Sequence, residues 1–201
     1  MSGSNSGQVT IVDYDPKWPY VFRAEAERLL SATCGLLLRI EHIGSTAVPG
    51  LAAKPTIDLM AGSRYPEASE KLIALLASIG YRERPDEFTD RLLFSQGHDG
   101  SRTYNLHVVG AESLLTHNEI LFRDRLRSDP DLTAQYASLK RDVALQNHSD
   151  PYSYNRAKAP FILSVVNEER AVRGLSPVDM WSVMGPKRRA AWIEAGDASG
   201  S

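Results

Sequence analysis

The chain lacks most features that would settle its class at a glance. Its 201 residues include one cysteine, Cys34, so no intramolecular disulfide forms and a disulfide-stapled fold is excluded. Cys34 itself reads as a small core residue on a helix rather than a reactive thiol. No apolar run approaches the roughly 20 residues a bilayer-spanning helix needs. The net charge is only -2, which gives no support for bulk electrostatic attraction to nucleic acid or to an anionic membrane and leaves only local basic patches to consider. Three catalytic signatures are missing: Gly-x-x-x-x-Gly-Lys-Ser/Thr, Gly-x-Gly-x-x-Gly and Gly-x-Ser-x-Gly. P-loop kinases, Rossmann dehydrogenases and serine hydrolases are therefore poor fits. The opening MSGSNSGQ is polar, with neither signal-peptide nor transit-peptide character, and a cytoplasmic location is expected.

What is present is an ordinary globular composition, 42% apolar and 24% charged, enough for one domain with a sizeable core. Residues 1–8 read as a flexible N-terminus, 9–174 as the domain, and 175–201 as a tail that is partly disordered. Thr10 to Val12 reads as an edge strand. Asp15 then caps a helix with Pro16 in its first turn, carrying Trp18, Val21, Phe22, Leu29 and Leu30 and ending near Gly35. Strands are expected over 36–43, 56–61, 91–95 and 103–109, the last two joined as a hairpin through Gln96-Gly97-His98-Asp99-Gly100. An amphipathic helix over 66–79 stops at Gly80. Helices over 113–127, 131–147 and 151–173 follow, punctuated by Asp129-Pro130-Asp131 and Ser149-Asp150-Pro151. The outline is α+β.

The densest chemistry lies in Gly44-Ser45-Thr46-Ala47-Val48-Pro49-Gly50-Leu51-Ala52-Ala53-Lys54, followed by Asp58. Glycine lets backbone approach a ligand closely, and Ser45 and Thr46 add hydroxyl donors for phosphate oxygens. Lys54 supplies a neutralising charge. Asp58, between Ile57 and Leu59, cannot be buried without a partner: either an ion pair with Lys54 or an arginine, or a divalent ion, Mg²⁺ or Mn²⁺. Two-ion phosphoryl chemistry wants a second carboxylate nearby, and the residue two along the strand is Met60. His107 is similarly bracketed by apolar residues, either as a satisfied structural histidine or as a metal ligand beside Asp58. His42 is the third member of that possible cluster. Arg91, Arg102, Arg123, Arg125 and Arg156 are candidate forks for an anionic substrate, and Lys158 adds a further cation. Tyr154 and Lys158, four apart, share a helix face that either reaches over the site or is solvated.

These residues resemble the GrpB-like family, which also occurs as the C-terminal domain of some dephospho-CoA kinases. The resemblance runs from Val12-Asp13-Tyr14-Asp15-Pro16-Lys17-Trp18 through Glu41-His42-Ile43-Gly44-Ser45 to Lys54-Pro55. It continues with Leu106-His107-Val108 and Leu121 to Arg127, and reaches Tyr154 with Lys158. It implies a nucleotidyltransferase-like mixed sheet with flanking helices and a helical C-terminal part. In that superfamily a Gly-Ser turn engages nucleotide phosphates and strand-borne acids bind divalent metal. Gly44 and Ser45 match the turn and Asp58 the first acid. Met60 stands in place of the second acid, and His107 stands roughly where the third is expected. The expected partner is a phosphorylated or anionic small molecule, handled by a metal-dependent transferase with Asp58 and His107 as catalytic residues. The alternatives are a non-catalytic sensing or partner domain and a different acid–base enzyme acting on an acidic metabolite.

Overall fold

The computed structural model of the protein describes residues 10–64, 70–84, 88, 90–97, 103–146, 151–180 and 182. The first helix, α1 (Trp18–Ala32), buries Trp18, Glu25, Ala26 and Leu29, a stripe at helical spacing. It starts later than expected. Pro19 rather than Pro16 occupies its first turn, where a missing N–H costs nothing, and Asp15 Oδ1 accepts from the Lys17 amide at 2.9 Å just ahead of it. At its end the Thr33 amide and hydroxyl both donate to the Leu29 carbonyl, at 3.0 and 2.8 Å. Cys34 (φ 52°) and Gly35 (φ 82°) then turn the chain into the sheet. The thiol is consequently exposed, not a core residue of the helix as its composition suggested.

Five strands form one mixed sheet in the order β1-β2-β5-β4-β3. They are β1 (Leu37–Ile43), β2 (Ile57–Ser63), β3 (Arg82–Glu83), β4 (Leu92–Gln96) and β5 (Tyr104–Gly110). The central pair β2/β5 is parallel, with Asp58 opposite Asn105 and Met60 opposite His107. The outer pairs are antiparallel. Four of the strands were legible from their apolar runs, whereas β3 is too short to leave a period. The expected β4–β5 hairpin is seen in its ladder, while residues 98–102 of its turn lie outside the described residues, as do the start of the 66–79 helix and residues 1–9. Val12 makes a single bridge to Ala53.

Side-chain alternation divides the sheet into two faces. Ile57, Leu59 and Ala61 of β2, with Leu106 and Val108 of β5, join Phe94, Leu29 and Trp18 in the main core. Leu72 and Leu76 of α2 (Glu70–Ser78) close it. Ile43, Met60 and Val109 face the other way and pack against Leu114 and Ile120. Asp58, Asn105 and His107 share that second face.

The helix expected over 113–127 is split. A 3₁₀ turn (Leu114–Thr116) ends at His117, whose extended backbone (φ -67°, ψ 143°) resets the axis before α3 (Asn118–Ser128). Asp129 Oδ1 then accepts from the Leu132 amide at 2.9 Å, opening α4 (Pro130–Gln146). α5 (Pro151–Val172) contains Pro160, which deprives the Arg156 carbonyl of its helical donor. Phe122, Tyr136 and Phe161 join the three helices through ring contacts. Tyr136 stacks on Phe161 at 5.3 Å and meets Phe122 edge-on at 5.0 Å. This third cluster takes in Val48 and Leu51, so the loop between β1 and β2 is packed under the helical half. Beyond Gly174, the side-chain amide of Asn167 exchanges two hydrogen bonds with Val178 (3.0 and 2.8 Å), tying the start of the tail to α5. Residues 183–201, including Trp192 and the Lys187-Arg188-Arg189 cluster, lie outside the described residues. No helix among the described residues is long and apolar enough to cross a membrane.

One buried polar network ties α1 to the sheet. Glu25, 6% exposed, accepts from the Tyr81 hydroxyl at 2.7 Å and from Arg28 at 2.6 and 2.9 Å. Arg28 in turn reaches the Ile79 carbonyl and Gln96. Tyr81→Phe removes one donor and leaves the Glu25–Arg28 pair, so it should lower the unfolding free energy by about 1–3 kcal/mol in urea denaturation. An unchanged midpoint would mean that the network adds nothing to stability.

Candidate anion-binding site

A cavity of about 270 Å³ lies between the second sheet face and the helical half. Its floor is the end of β1 with Gly44, Ser45, Asp58 and His107. Its walls are Asn118, Glu119, Phe122, Arg123 and Leu126 of α3, Tyr136 of α4, and Lys158 and Ile162 of α5.

Gly44 is fixed by two constraints. Its backbone (φ 72°, ψ -173°) is a conformation essentially reserved for glycine, and a Cβ there would stand 2.5 Å from Asp58 Oδ2. The turn and the carboxylate are therefore in close contact. Asp58 Oδ1 accepts from Asn105 Nδ2 at 2.8 Å, so its direct partner is an amide across the parallel ladder and neither Lys54 nor an arginine. Burial pushes its carboxyl up to about 6, against the pull of Asn105, Lys158 and Lys54. Ser45 and the Tyr136 phenol line the same cavity, and burial holds that phenol well above its ordinary range.

The remaining expected residues divide. Thr46 is 1% exposed and its hydroxyl points away from the cavity: it donates to the Thr56 carbonyl at 3.3 Å and lies 3.0 Å from His42 Nε2. Both contacts are buried, so Thr46 braces His42 and the start of β2. His42 pairs with Leu59 on the main-core face and stacks on Phe22 at 4.6 Å, so it belongs to no cluster with Asp58 and His107. Burial, with Arg127 and Arg123 nearby, lowers it to about 4 and keeps it neutral.

Arg91 is committed inside the protein. Its guanidinium pairs with Glu119 and with Asp90 (2.9 Å) and lies over the Phe88 ring at 4.6 Å. Burial alone would lower it, but the two carboxylates hold it above its ordinary value. It holds Glu119 at the cavity wall and is itself not among the cavity-lining residues. His107 does line the cavity, and burial, reinforced by Arg91, lowers it to about 4. Lys158 also lines the cavity, its ammonium 3.9 Å from the centroid of the buried Tyr154 ring. Lys54 is exposed outside the lining but within electrostatic range of Asp58. Arg102 lies outside the described residues.

Several residues that shape the site carried no sequence signal. Tyr136 and Glu119 sit on helices of weak amphipathicity, where one more aromatic or acid is unremarkable. Lys140 is 2% exposed, donates to the Ala52 carbonyl at 2.5 Å and lies 5.0 Å from the Tyr136 ring centroid. Burial, with Lys158 and Arg141 in the same direction, lowers it to about 7.

The donor set does not fit a two-ion centre. Met60 is 0% exposed and belongs to the apolar layer with Val109 and Ile120. Glu119 is engaged by Arg91, and no group of three His, Cys, Asp or Glu among the described residues could hold a metal ion. Asp58 alone offers a carboxylate beside the turn.

A family model described as GrpB protein matches residues 8–168. A UPF0157 protein of Streptomyces coelicolor is 34% identical over 173 residues, covering 86% of this chain and 90% of the relative. A dephospho-CoA kinase of Mycolicibacterium paratuberculosis is 29% identical over 178 residues, covering 76% of this chain and 44% of that protein. Among solved structures, the conserved protein GrpB of Enterococcus faecalis superposes with a TM-score of 0.75 at 28% identity, over 82% of this chain and 99% of that one. The Cid1 poly(U) polymerase, crystallised with Mg 3'-dATP, gives 0.52 at 15% identity over 74% of this chain and 50% of its own. That likeness is one of fold alone.

Gly44→Ala should lower the unfolding free energy by about 2–4 kcal/mol, combining backbone strain with a clash on Asp58. A near-neutral result in urea titration would contradict the contact. Asp58→Asn has a pH signature. A carboxyl raised from 3.8 to about 6 on folding binds more protons folded than unfolded between those values, so its contribution is lost as pH rises through that window. The amide that replaces it does not titrate. The variant should therefore gain stability relative to wild type between about pH 4 and 6, and a difference that stays flat with pH would refute the raised value.

Proposed function

Because the chain belongs to the GrpB family, and its Gly44-Ser45 turn, Asp58 and Lys158 all face one cavity, we propose that it binds a phosphorylated small molecule there. The observation that carries this reading is the contact of Gly44 with Asp58, which presents the turn to the cavity beside a titratable carboxyl. In this reading Ser45 donates to a phosphate oxygen, and Lys158, with Lys54 at longer range, balances the charge. Phe122, Tyr136 and Ile162 cover an apolar or ring-bearing portion of the ligand, as a nucleotide would supply. Asp58, poised near neutrality, is the group suited to proton transfer at the phosphate end. His107, neutral and lining the same floor, orients the ligand.

Metal-dependent nucleotidyl transfer draws support from the nucleotidyltransferase-like fold and the Gly-Ser turn, and Met60 weighs against it. A carboxylate at that position would be buried in the apolar layer, so the acid pair cannot be restored without a large cost. A domain that holds its ligand without transferring a nucleotidyl group agrees better with Met60.

The test is a thermal-shift screen of nucleotides, CoA precursors and sugar phosphates, each with and without Mn²⁺. A ligand at 100 times its dissociation constant should stabilise the protein by about 2.7 kcal/mol, and Lys158→Ala should abolish most of that shift. If no phosphorylated compound stabilises the wild type, the reading fails. If stabilisation depends strictly on Mn²⁺, Asp58 supports an ion after all.

A further inference from the structure

Asn118 lines the cavity, and its amide is held in one orientation. It is the first residue of α3, and its Oδ1 accepts from Arg170 Nη1 of α5 at 3.1 Å. A guanidinium carries donors only, so the amide atom that meets it is the oxygen and the nitrogen is turned the other way. Arg170 is not among the cavity-lining residues. The Asn118 oxygen is therefore committed to the protein side, and the end of the amide left for the cavity is Nδ2 with its two N–H groups. Among the described residues that nitrogen has no hydrogen-bond partner, and it is not one of the buried atoms that lack one, so it is accessible.

Arg170 is itself fastened. Its Nε donates to the Ser176 carbonyl at 2.6 Å, and the Leu175 amide donates to the Arg170 carbonyl at 2.8 Å across the turn at Gly174 (φ 67°). With the Asn167–Val178 pair, these bonds clasp the first residues of the tail around the guanidinium. Both of its acceptors are neutral oxygens, so its charge acts on the Asn118 amide. A cation that donates to an amide oxygen polarises the amide and makes its N–H groups stronger donors. Directional donors are scarce on the cavity wall. Arg123 is engaged by Glu41, Asp124 and the His42 carbonyl, and the Lys158 ammonium is a point charge without a fixed fork.

We propose that Asn118 is a ligand-binding residue of this cavity, its amide N–H donating to an oxygen of the bound phosphate, and that Arg170 is the positioning residue that holds the amide in that orientation. Every oxygen of a phosphate dianion accepts, so a polarised N–H that cannot turn away suits it, whereas the amide oxygen in the same place would repel it. This assignment rests on the phosphate reading above and adds a directional donor to it. Arg170 and Ser176 lie beyond residues 8–168, so the support of this donor comes from outside the stretch that the family model matches.

Calorimetric titration of the intact chain with inorganic phosphate, at pH 7 and constant ionic strength, tests both roles. Asn118→Ala should weaken binding about tenfold, the loss expected for a hydrogen bond to a charged group. Asn118→Asp keeps an oxygen for Arg170 and exchanges the N–H donors for an acceptor. It should fold as the wild type does and bind phosphate more weakly than Asn118→Ala. Arg170→Met should weaken binding about threefold in the wild-type background and leave the affinity of Asn118→Ala unchanged, because it acts only through that amide. Wild-type affinity in both Asn118 variants would overturn the donor role. An equal loss from Arg170→Met in both backgrounds would show that the guanidinium acts through its charge, and would overturn the positioning role. If the wild type does not bind phosphate the inference falls, while the thermal-shift screen decides separately whether the pocket takes a larger phosphorylated compound.

Discussion

The end of β1 and the loop between β1 and β2 are held in place by cations that donate to their backbone carbonyls. Arg123 donates to the His42 carbonyl at 2.9 Å, Arg127 to Ala47 at 2.9 Å and Lys140 to Ala52 at 2.5 Å. Each comes from the helical half, and the loop belongs to the sheet half. A buried carbonyl without a donor is costly, and a buried cation without an acceptor is costlier, so each side satisfies the other. Because these bonds pin the end of β1 and the loop at Ala47 and Ala52, they hold the Gly44-Ser45 turn between fixed points beside the cavity. The site exists only where the two halves meet.

The same reciprocity arranges the charges around the cavity. Arg91, almost wholly buried, is tolerated because Asp90 and Glu119 flank it, and in doing so it fixes Glu119 at the wall. Arg123 is matched by Glu41 and Asp124 while it holds the His42 carbonyl. These arginines serve the scaffold. The cations lining the cavity are fewer than the composition suggests: Arg123, engaged by Glu41 and Asp124, and Lys158, braced on Tyr154. Sheet pleating supplies the complementary separation: Asp58 and His107 point into the cavity, while His42, also polar and strand-borne, points into the main core.

Much of this was legible along the chain. The strands announced themselves as short apolar runs, α1 by its stripe, and α4 by the Asp129-Pro130 start. The Gly44-Ser45 turn and Asp58 stood out because small residues and a flanked carboxylate are costly unless used. The parts that were not legible share a cause. His42, Thr46 and Arg91 have the chemistry of site residues, yet the direction each side chain takes depends on strand pairing and on partners distant in sequence. Arg91 meets Glu119 across 28 residues, and Lys140 meets Ala52 across 88. Tyr136 and Glu119 are illegible for the converse reason, since an aromatic or an acid on a weakly amphipathic helix looks like any other.

The sequence by itself determined the α+β class, the family-like motifs and the place of the Gly44-Ser45 turn, because periodicity and glycine chemistry are local properties. Only the tertiary structure decided which polar groups face the cavity and which brace the scaffold. It made Asp58 a partner of Asn105 and put Met60 in an apolar layer. It also turned His42 to the opposite face and, among the described residues, left Asn105, His107 and Glu119 each with a buried polar atom that has no hydrogen-bond partner. Those outcomes follow from burial and charge pairing between distant segments, which no local pattern encodes.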